Sequence, residues 1–483
     1  MSLLEDYVRY ETRRQFFSRG KNVLGGAALA SLLGESFGRT AEGPSKILPH
    51  FAAKARHIIY LHMVGGPSQM DLFDYKPGME KWFDKDLPES IRQGQRLTTM
   101  TSGQSRFPIA PSKFKFSQTG QCGMWMNTEL LPWTAKCADD MTFIRSMHTE
   151  AINHEPAITA MQTGNMVTGR PCLGSWVSYG LGSLNANLPT FVVLVAEPSN
   201  KEQIQAISAR LWSSGFISGE HAGVSFRAAG DPILYINNPP GVSPAGRRSQ
   251  LDGMRRLNEM NYRMVGDPET HTRIQQFEMA FRMQASVPEL TAVQNEPEST
   301  YKLYGDEAKK PGTFAYTALL ARRLVERGTR FVQVYHNNWD HHGNVKGRLP
   351  SQCRDVDQPV YGLIQDLKQR GLFDETLIIW GGEFGRTIYS QGGLTKDNYG
   401  RDHHPRCFTM WMAGGGSRGG AIYGETDDFS YNIVRDPVHV RDFHATVLHL
   451  LGIHHERFSV RVQGLDSRLT GVEPCRVIRE LIA

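Results

Sequence analysis

The sequence predicts a doubly wound, mostly parallel α/β sheet flanked by helices, with a helical insert. Three observations predict it. Short, nearly continuous apolar runs recur along the chain, as strands buried on both faces require. Helically spaced apolar residues lie between them. Polar, Gly-bearing segments follow the runs, where a chain leaving a strand must turn. The 483 residues, 40% hydrophobic and 21% charged, suit a globular protein, and one large sheet with insertions can use that length.

The first segment is Thr12-Arg13-Arg14-Gln15-Phe16-Phe17-Ser18-Arg19, followed by an uncharged Gly/Ala-rich run from Asn22 to Gly34. A paired arginine, two phenylalanines and an apolar run with no charged face resemble a twin-arginine export signal over residues 1–40. That implies the twin-arginine translocation machinery as a partner and a periplasmic or extracellular destination. The run is shorter than the about 20 apolar residues of a membrane span. No later run is long enough either, so no stable transmembrane span is expected. Residues 41–55 read as a linker to an α/β domain over 56–475.

Arg56 to Val64 is an apolar run stopped by Gly65-Gly66-Pro67, a strand entering a turn. Similar strand runs are Met141 to Ile144, Thr190 to Val195, Thr329 to Tyr335, Thr376 to Trp380 and Cys407 to Met412. Val356 to Arg370 carries Val360, Leu363, Ile364 and Leu367 at helical spacing, and Gly371 stops it. Residues 197–310 hold few strand runs and much charge. Within them Gln250 to Gln284 reads as amphipathic helix, so this stretch is the expected insert or cap.

The net charge of +5 comes with no dense basic run interleaved with aromatics, which argues against nucleic-acid binding. None of the six cysteines forms a C-x-x-C pair, so a zinc ribbon is not indicated. Whether Cys122 and Cys137 pair or remain thiols stays open. Gly414-Gly415-Gly416 lacks the Lys-Ser/Thr of a phosphate loop and reads as a turn.

Ligands of open α/β sheets bind at the carboxyl ends of strands. There the sequence places Asn337 to His342, Glu383 to Arg386, and Asn153-His154-Glu155, with Asp402-His403-His404 just before another strand run. Histidine and carboxylate gathered on several strand edges are what a metal-dependent hydrolase needs. Imidazole and carboxylate suit Zn, Mn and similar ions. Two ions can clamp the attacking and leaving oxygens of a phosphoryl or sulfuryl group. Each element alone is weak, since a lone Asp-His-His is usually a solvated turn. His439, His444 and His449, five apart, do not share one helix face and read as packed or surface groups.

The order of these motifs resembles the alkaline phosphatase-like and sulfatase-like superfamily, and more closely the domain of unknown function 1501 family. The resemblance rests on Gly65-Gly66-Pro67-Ser68-Gln69-Met70-Asp71, Trp339-Asp340-His341-His342-Gly343-Asn344, Gly381-Gly382-Glu383-Phe384-Gly385-Arg386-Thr387, Asp402-His403-His404-Pro405 and His439 to Leu448. It implies an alkaline phosphatase-like fold and one or two divalent ions (Zn, Mn or Ca). Asp340 with His341 or His342, and His404 or His403, match the ligands of one ion. The Asp-His dyad of a second ion falls on Glu383-Phe384, keeping the carboxylate and losing the imidazole. The first-strand ligand falls on Gly65-Gly66, and Asp71 is the carboxylate that could replace it.

The superfamily's nucleophile position falls on His154, at a helix start with Pro156 in its first turn. His154 is thereby expected at the reacting centre, as ligand, base or nucleophile. No Cys-x-Pro-x-Arg occurs there, which removes the formylglycine route. Arg386 and Asn153 are the expected substrate contacts, with Arg386 steadying an anionic oxygen through its planar fork. The leading expectation is an exported metal-dependent hydrolase of phosphate or sulfate esters, acting on an anionic small molecule or polysaccharide. The alternative is a catalytically degenerate exported binding protein for sulfated polysaccharide or a protein partner.

Overall fold

The computed structural model describes residues 49–233, 236–267 and 269–483. The twin-arginine pattern lies outside them. Among the described residues, nine strands form one sheet. They are β1 (His57–Met63), β2 (Met141–His148), β3 (Phe191–Ala196), β4 (Val224–Phe226), β5 (Phe331–His336), β6 (Thr376–Gly381), β7 (Phe408–Ala413), β8 (Ile422–Tyr423) and β9 (Val438–His439). The order across the sheet is β8-β2-β7-β6-β1-β5-β3-β4, with β9 also on β2.

β1 is central and wholly buried. Its Tyr60 lies opposite Gln333 of β5 on one side and Ile379 of β6 on the other, both parallel. An unbroken apolar run has this consequence, because helices cover both faces of such a strand. Only β7 runs against its neighbours, antiparallel to β6 and β2. The mostly parallel α/β sheet expected from the sequence is therefore present, with one reversed strand. Strand direction leaves no mark on an apolar run, and β4, three residues long with a polar Ser225 at its middle, is too short to announce itself.

The helix expected from Val356 begins earlier and spans Val345–Gln369. Asn344 caps it, its side chain accepting from Gly347 N at 3.2 Å. Pro350 lies in its second turn and masks the start from a periodicity reading. His154–Thr163 is a helix that starts where the sequence placed it. Residues 49–55 are docked, not free. Lys54 and Ala55 donate backbone N–H groups to Leu450 O at 2.8 and 2.9 Å, and Phe51 packs on His449 at 4.6 Å. His439 caps the helix Val440–Leu450, and buried His444 bonds Met161 O at 2.9 Å.

The sheet belongs to a compact unit made of residues 48–236 and 282–483. A second unit takes in residues 237–281, well inside the expected insert. It carries the helix Pro244–Val265, whose Arg248 forks onto Glu278 at 2.6 and 2.8 Å. All six cysteines are free thiols. Among the described residues no helix is long and apolar enough to cross a membrane.

Candidate metal centre

Four chain segments converge beyond the carboxyl ends of β2, β5 and β6. β5 runs into Asn337–His342, β6 into Gly382–Phe384, and β2 into the loop that starts the helix at His154. The fourth is a hairpin, Gly385–Ser390 paired antiparallel with Arg401–His404, which brings His403 opposite Arg386. The turn after β1 makes room for them. Gly65 has φ +118°, and a Cβ there would meet Asp340 N at 2.5 Å and Trp339 N at 2.8 Å. A side chain at Gly65 would push the Asp340 loop outward.

His154, Asp340, His342 and His403 each offer one ligand atom, and these atoms all lie within 4.8 Å of one another. Asp340 is the hub. His342 Nε2 lies 2.7 Å from its Oδ1, His403 Nε2 3.5 Å from Oδ1, and His154 Nε2 3.2 Å from Oδ2. Ligands about 2.0–2.1 Å from a tetrahedral ion sit roughly 3.3 Å apart, so these spacings are close to what one shared cation needs.

The outward nitrogens of the three rings make the stronger case. His154 Nδ1 lies 2.6 Å from Glu383 Oε1, His342 Nδ1 2.5 Å from Gln391 Oε1, and His403 Nδ1 2.8 Å from Ile152 O. Each partner is an oxygen acceptor, so each Nδ1 carries the proton and donates. Every Nε2 is turned toward Asp340, and a cation bound between them would take the lone pair that this nitrogen exposes on giving up its proton. This is how metal-binding histidines are normally held. His154 Nε2 and His403 Nε2 are buried and without a hydrogen-bond partner. Three imidazole nitrogens and one carboxylate form a donor set that could hold a divalent metal ion.

The electrostatics agree. Burial alone would raise the Asp340 pKa, but Arg386 and the three imidazoles outweigh it and hold the carboxyl well below its usual range. Burial likewise opposes ionised Glu383, and the bond from His154 with the nearby His62 ring overcomes it. For His154, burial lowers the pKa while Asp340 and Glu383 raise it further, so the net shift is upward. The pocket thus favours positive charge at the spot the three rings face.

The structure separates the remaining candidates. His341 is not part of the four-residue cluster; it is buried, and burial drives its pKa down to about 3. His404 bonds Tyr431 O at 2.6 Å and stacks on that ring, outside the cluster. Asp71 is fully buried in an ion pair with Arg401, Nε to Oδ2 at 2.5 Å, and accepts from Ser68 and Tyr399 as well. Its oxygens are already engaged, so it does not replace the missing first-strand ligand. Arg386 was expected to steady an anion. It is only 1% exposed, and it donates to Gly65 O, Gly66 O, Arg401 O and Asp340. It therefore neutralises Asp340 and ties the turn after β1 to the hairpin. Asn153 is exposed at the start of the His154 helix, with no capping bond from its side chain.

Four outer partners escaped the sequence reading: Gln205, Gln391, His62 and the Ile152 carbonyl. Gln205 Nε2 donates to Asp340 Oδ2 at 2.9 Å. Its loop is stitched on by Asn337, which accepts from Gln205 N at 2.9 Å, and by Asn338, which accepts from Gln203 N at 2.7 Å. Asn338 adopts φ +72°, a conformation asparagine tolerates.

Residues 55–482 match the family described as protein of unknown function (DUF1501). The chain belongs to the DUF1501 family. The cluster of His154, Asp340, His342 and His403 is thus a feature of a DUF1501 chain, and it lies wholly within the matched residues. No curated protein matches the sequence significantly. Solved structures similar to it include the PsFucS1 sulfatase from Pseudoalteromonas sp., 14% identical, covering 83% of this chain and 68% of that one with a TM-score of 0.34. The phosphonate monoester hydrolase SpPMH from Silicibacter pomeroyi is 12% identical, covering 73% and 71%, with a TM-score of 0.29. An alkaline phosphatase from the Antarctic bacterium TAB5 is 10% identical, covering 82% and 98%, with a TM-score of 0.31.

Proposed function

We propose that this DUF1501 chain is an exported, divalent-metal-dependent hydrolase of phosphate or sulfate esters. The observation that carries the reading is the common orientation of three histidines, each donating Nδ1–H outward and turning Nε2 toward Asp340. His154, Asp340, His342 and His403 would hold the ion. A divalent ion bound there supplies a Lewis acid for an anionic ester oxygen and lowers the pKa of a water ligand.

The chain's own groups do the rest. Glu383, Gln391 and the Ile152 carbonyl fix the rings, and Arg386 and Gln205 fix Asp340, so the donors are arranged before substrate arrives. Asn153 stands exposed beside His154 and is the substrate contact on this reading. His154 serves as a ligand, which leaves water as the nucleophile. Export rests on the paired arginines and apolar run of the first 40 residues, and it would bring the site to anionic polysaccharides and small esters outside the cytoplasm.

The test is a panel of aryl phosphates and aryl sulfates, assayed with protein stripped by chelator and with protein resupplied with Zn²⁺ or Mn²⁺. Metal-dependent turnover that His403→Ala abolishes is the expected result. Binding of sulfated glycan with no turnover under any metal would favour the non-catalytic alternative and overturn the proposal.

A further inference from the structure

We infer that the centre holds a single divalent ion, and that Glu383 is not a ligand but the positioning residue of His154, with His62 behind it. The inference rests on the metal-centre reading above and deepens it. Glu383 occupies the place where the motif resemblance led us to expect the carboxylate of a second ion. The surroundings do not suit that role.

Its two oxygens face protein donors. Oε1 accepts His154 Nδ1–H at 2.6 Å and Gly65 N–H at 2.9 Å, while Oε2 lies 3.2 Å from Gly65 N and 3.6 Å from His62 Nε2. The residue is fully buried, as is His62. Next to it, Phe384 stands where a second imidazole ligand would be needed. Its ring lies 4.9 Å from that of His154 and 4.5 Å from that of His403. Phe384 forms an apolar cluster with Ala151 and Ala157, so this flank of the centre offers no donors.

Charge points the same way. The buried acidic groups in contact here are Asp340 and Glu383, and Arg386 already balances one of them. One divalent ion leaves a single net positive charge, which suits an anionic substrate. A second ion would leave three, because the next buried carboxylates are engaged elsewhere, Asp402 by Thr98 and Thr101 and Asp71 by Arg401.

Glu383 then has a different task. By accepting Nδ1–H it keeps His154 in the tautomer whose Nε2 is a lone pair, and it holds the ring facing Asp340. Gly65 N–H keeps the carboxylate itself from turning, and the buried His62 ring stands behind it with Nε2 3.6 Å from Oε2.

The test is calorimetric titration of chelator-stripped full-length protein with Zn²⁺, with elemental analysis of the product. Wild type, Glu383→Gln and Glu383→Ala are compared, and Co²⁺ absorption reports coordination number. The expected result is one ion per chain in all three. Affinity should fall modestly in Glu383→Gln, whose amide oxygen can still accept Nδ1–H, and by roughly 10–100-fold in Glu383→Ala. The Co²⁺ spectrum should keep its coordination number. Two ions in wild type overturn the inference while leaving the metal-dependent hydrolase intact, and that conclusion needs no variant to fold. Equal losses in Gln and Ala variants, with a changed Co²⁺ spectrum, overturn the positioning role. One ion bound without any turnover overturns the hydrolase and leaves this inference standing. No ion bound overturns both.

Discussion

Replacing Asp71 by Asn removes one half of a fully buried ion pair and leaves the Arg401 guanidinium without its counter-charge. Arg401 meets Asp71 through Nε at 2.5 Å and Nη2 at 3.2 Å, and its other donors reach Ala110 O and Thr387 O at 2.9 Å. Both side chains are 0% exposed. Burial pushes the Asp71 pKa up, but Arg401 outweighs it, so the carboxylate stays ionised. Breaking such a pair from one side costs about 3–5 kcal/mol, because the remaining charge cannot reach water. For a chain of this size that is a loss of roughly 3–5 °C in melting temperature. Differential scanning fluorimetry of chelator-stripped wild type and Asp71→Asn measures it, and Zn²⁺ titration of both shows whether the ion is kept. The expected outcome is a large loss of stability with metal stoichiometry unchanged. A variant as stable as wild type that loses its ion would show that Asp71 is a ligand after all, and the reasoning would fail.

Two further predictions follow from neighbouring parts of the fold. Gly65→Ala adds a Cβ 2.5 Å from Asp340 N at φ +118°, strain of about 1–3 kcal/mol. It should weaken Zn²⁺ binding, and an unchanged titration would mean that the turn after β1 does not support the site. His444 is buried, and burial drives its pKa down to about 4 from the ordinary 6.5. The unfolded chain therefore binds more protons than the folded one between these values. Stability should fall as pH drops from about 6.5 to 4, by roughly 3 kcal/mol from this group. Urea unfolding of wild type and His444→Gln at pH 7 and pH 4.5 checks it, and equal pH slopes would count against the assignment.

Much of the sheet was legible because its strands are continuous apolar runs, and burial on both faces leaves just that trace. β7 was found but not its direction, and the hairpin Gly385–Ser390 with Arg401–His404 was not found. Apart from Ile388 and Tyr389, which join an apolar cluster, its side chains are mostly polar, and several are buried by pairing with each other and with Asp71. The motifs supplied the candidates, but adjacent histidines could not be told apart. His341 and His342 differ only in which way the loop turns them, and His403 and His404 project to opposite sides of a strand. Arg386 was read as a substrate group because a sequence does not show that Gly65 O and Gly66 O lie within its reach. Gln205 gave no signal at all, since its contact with Asp340 spans 135 residues of chain.

The account stands or falls on a cation shared by four side chains. Crystals grown with Zn²⁺ and measured at the zinc absorption edge provide the most direct measurement. One anomalous peak about 2.0–2.2 Å from His154 Nε2, His342 Nε2, His403 Nε2 and an Asp340 oxygen is the predicted result. No peak at these atoms, or a peak held by His341, His404 or Asp71, would contradict it.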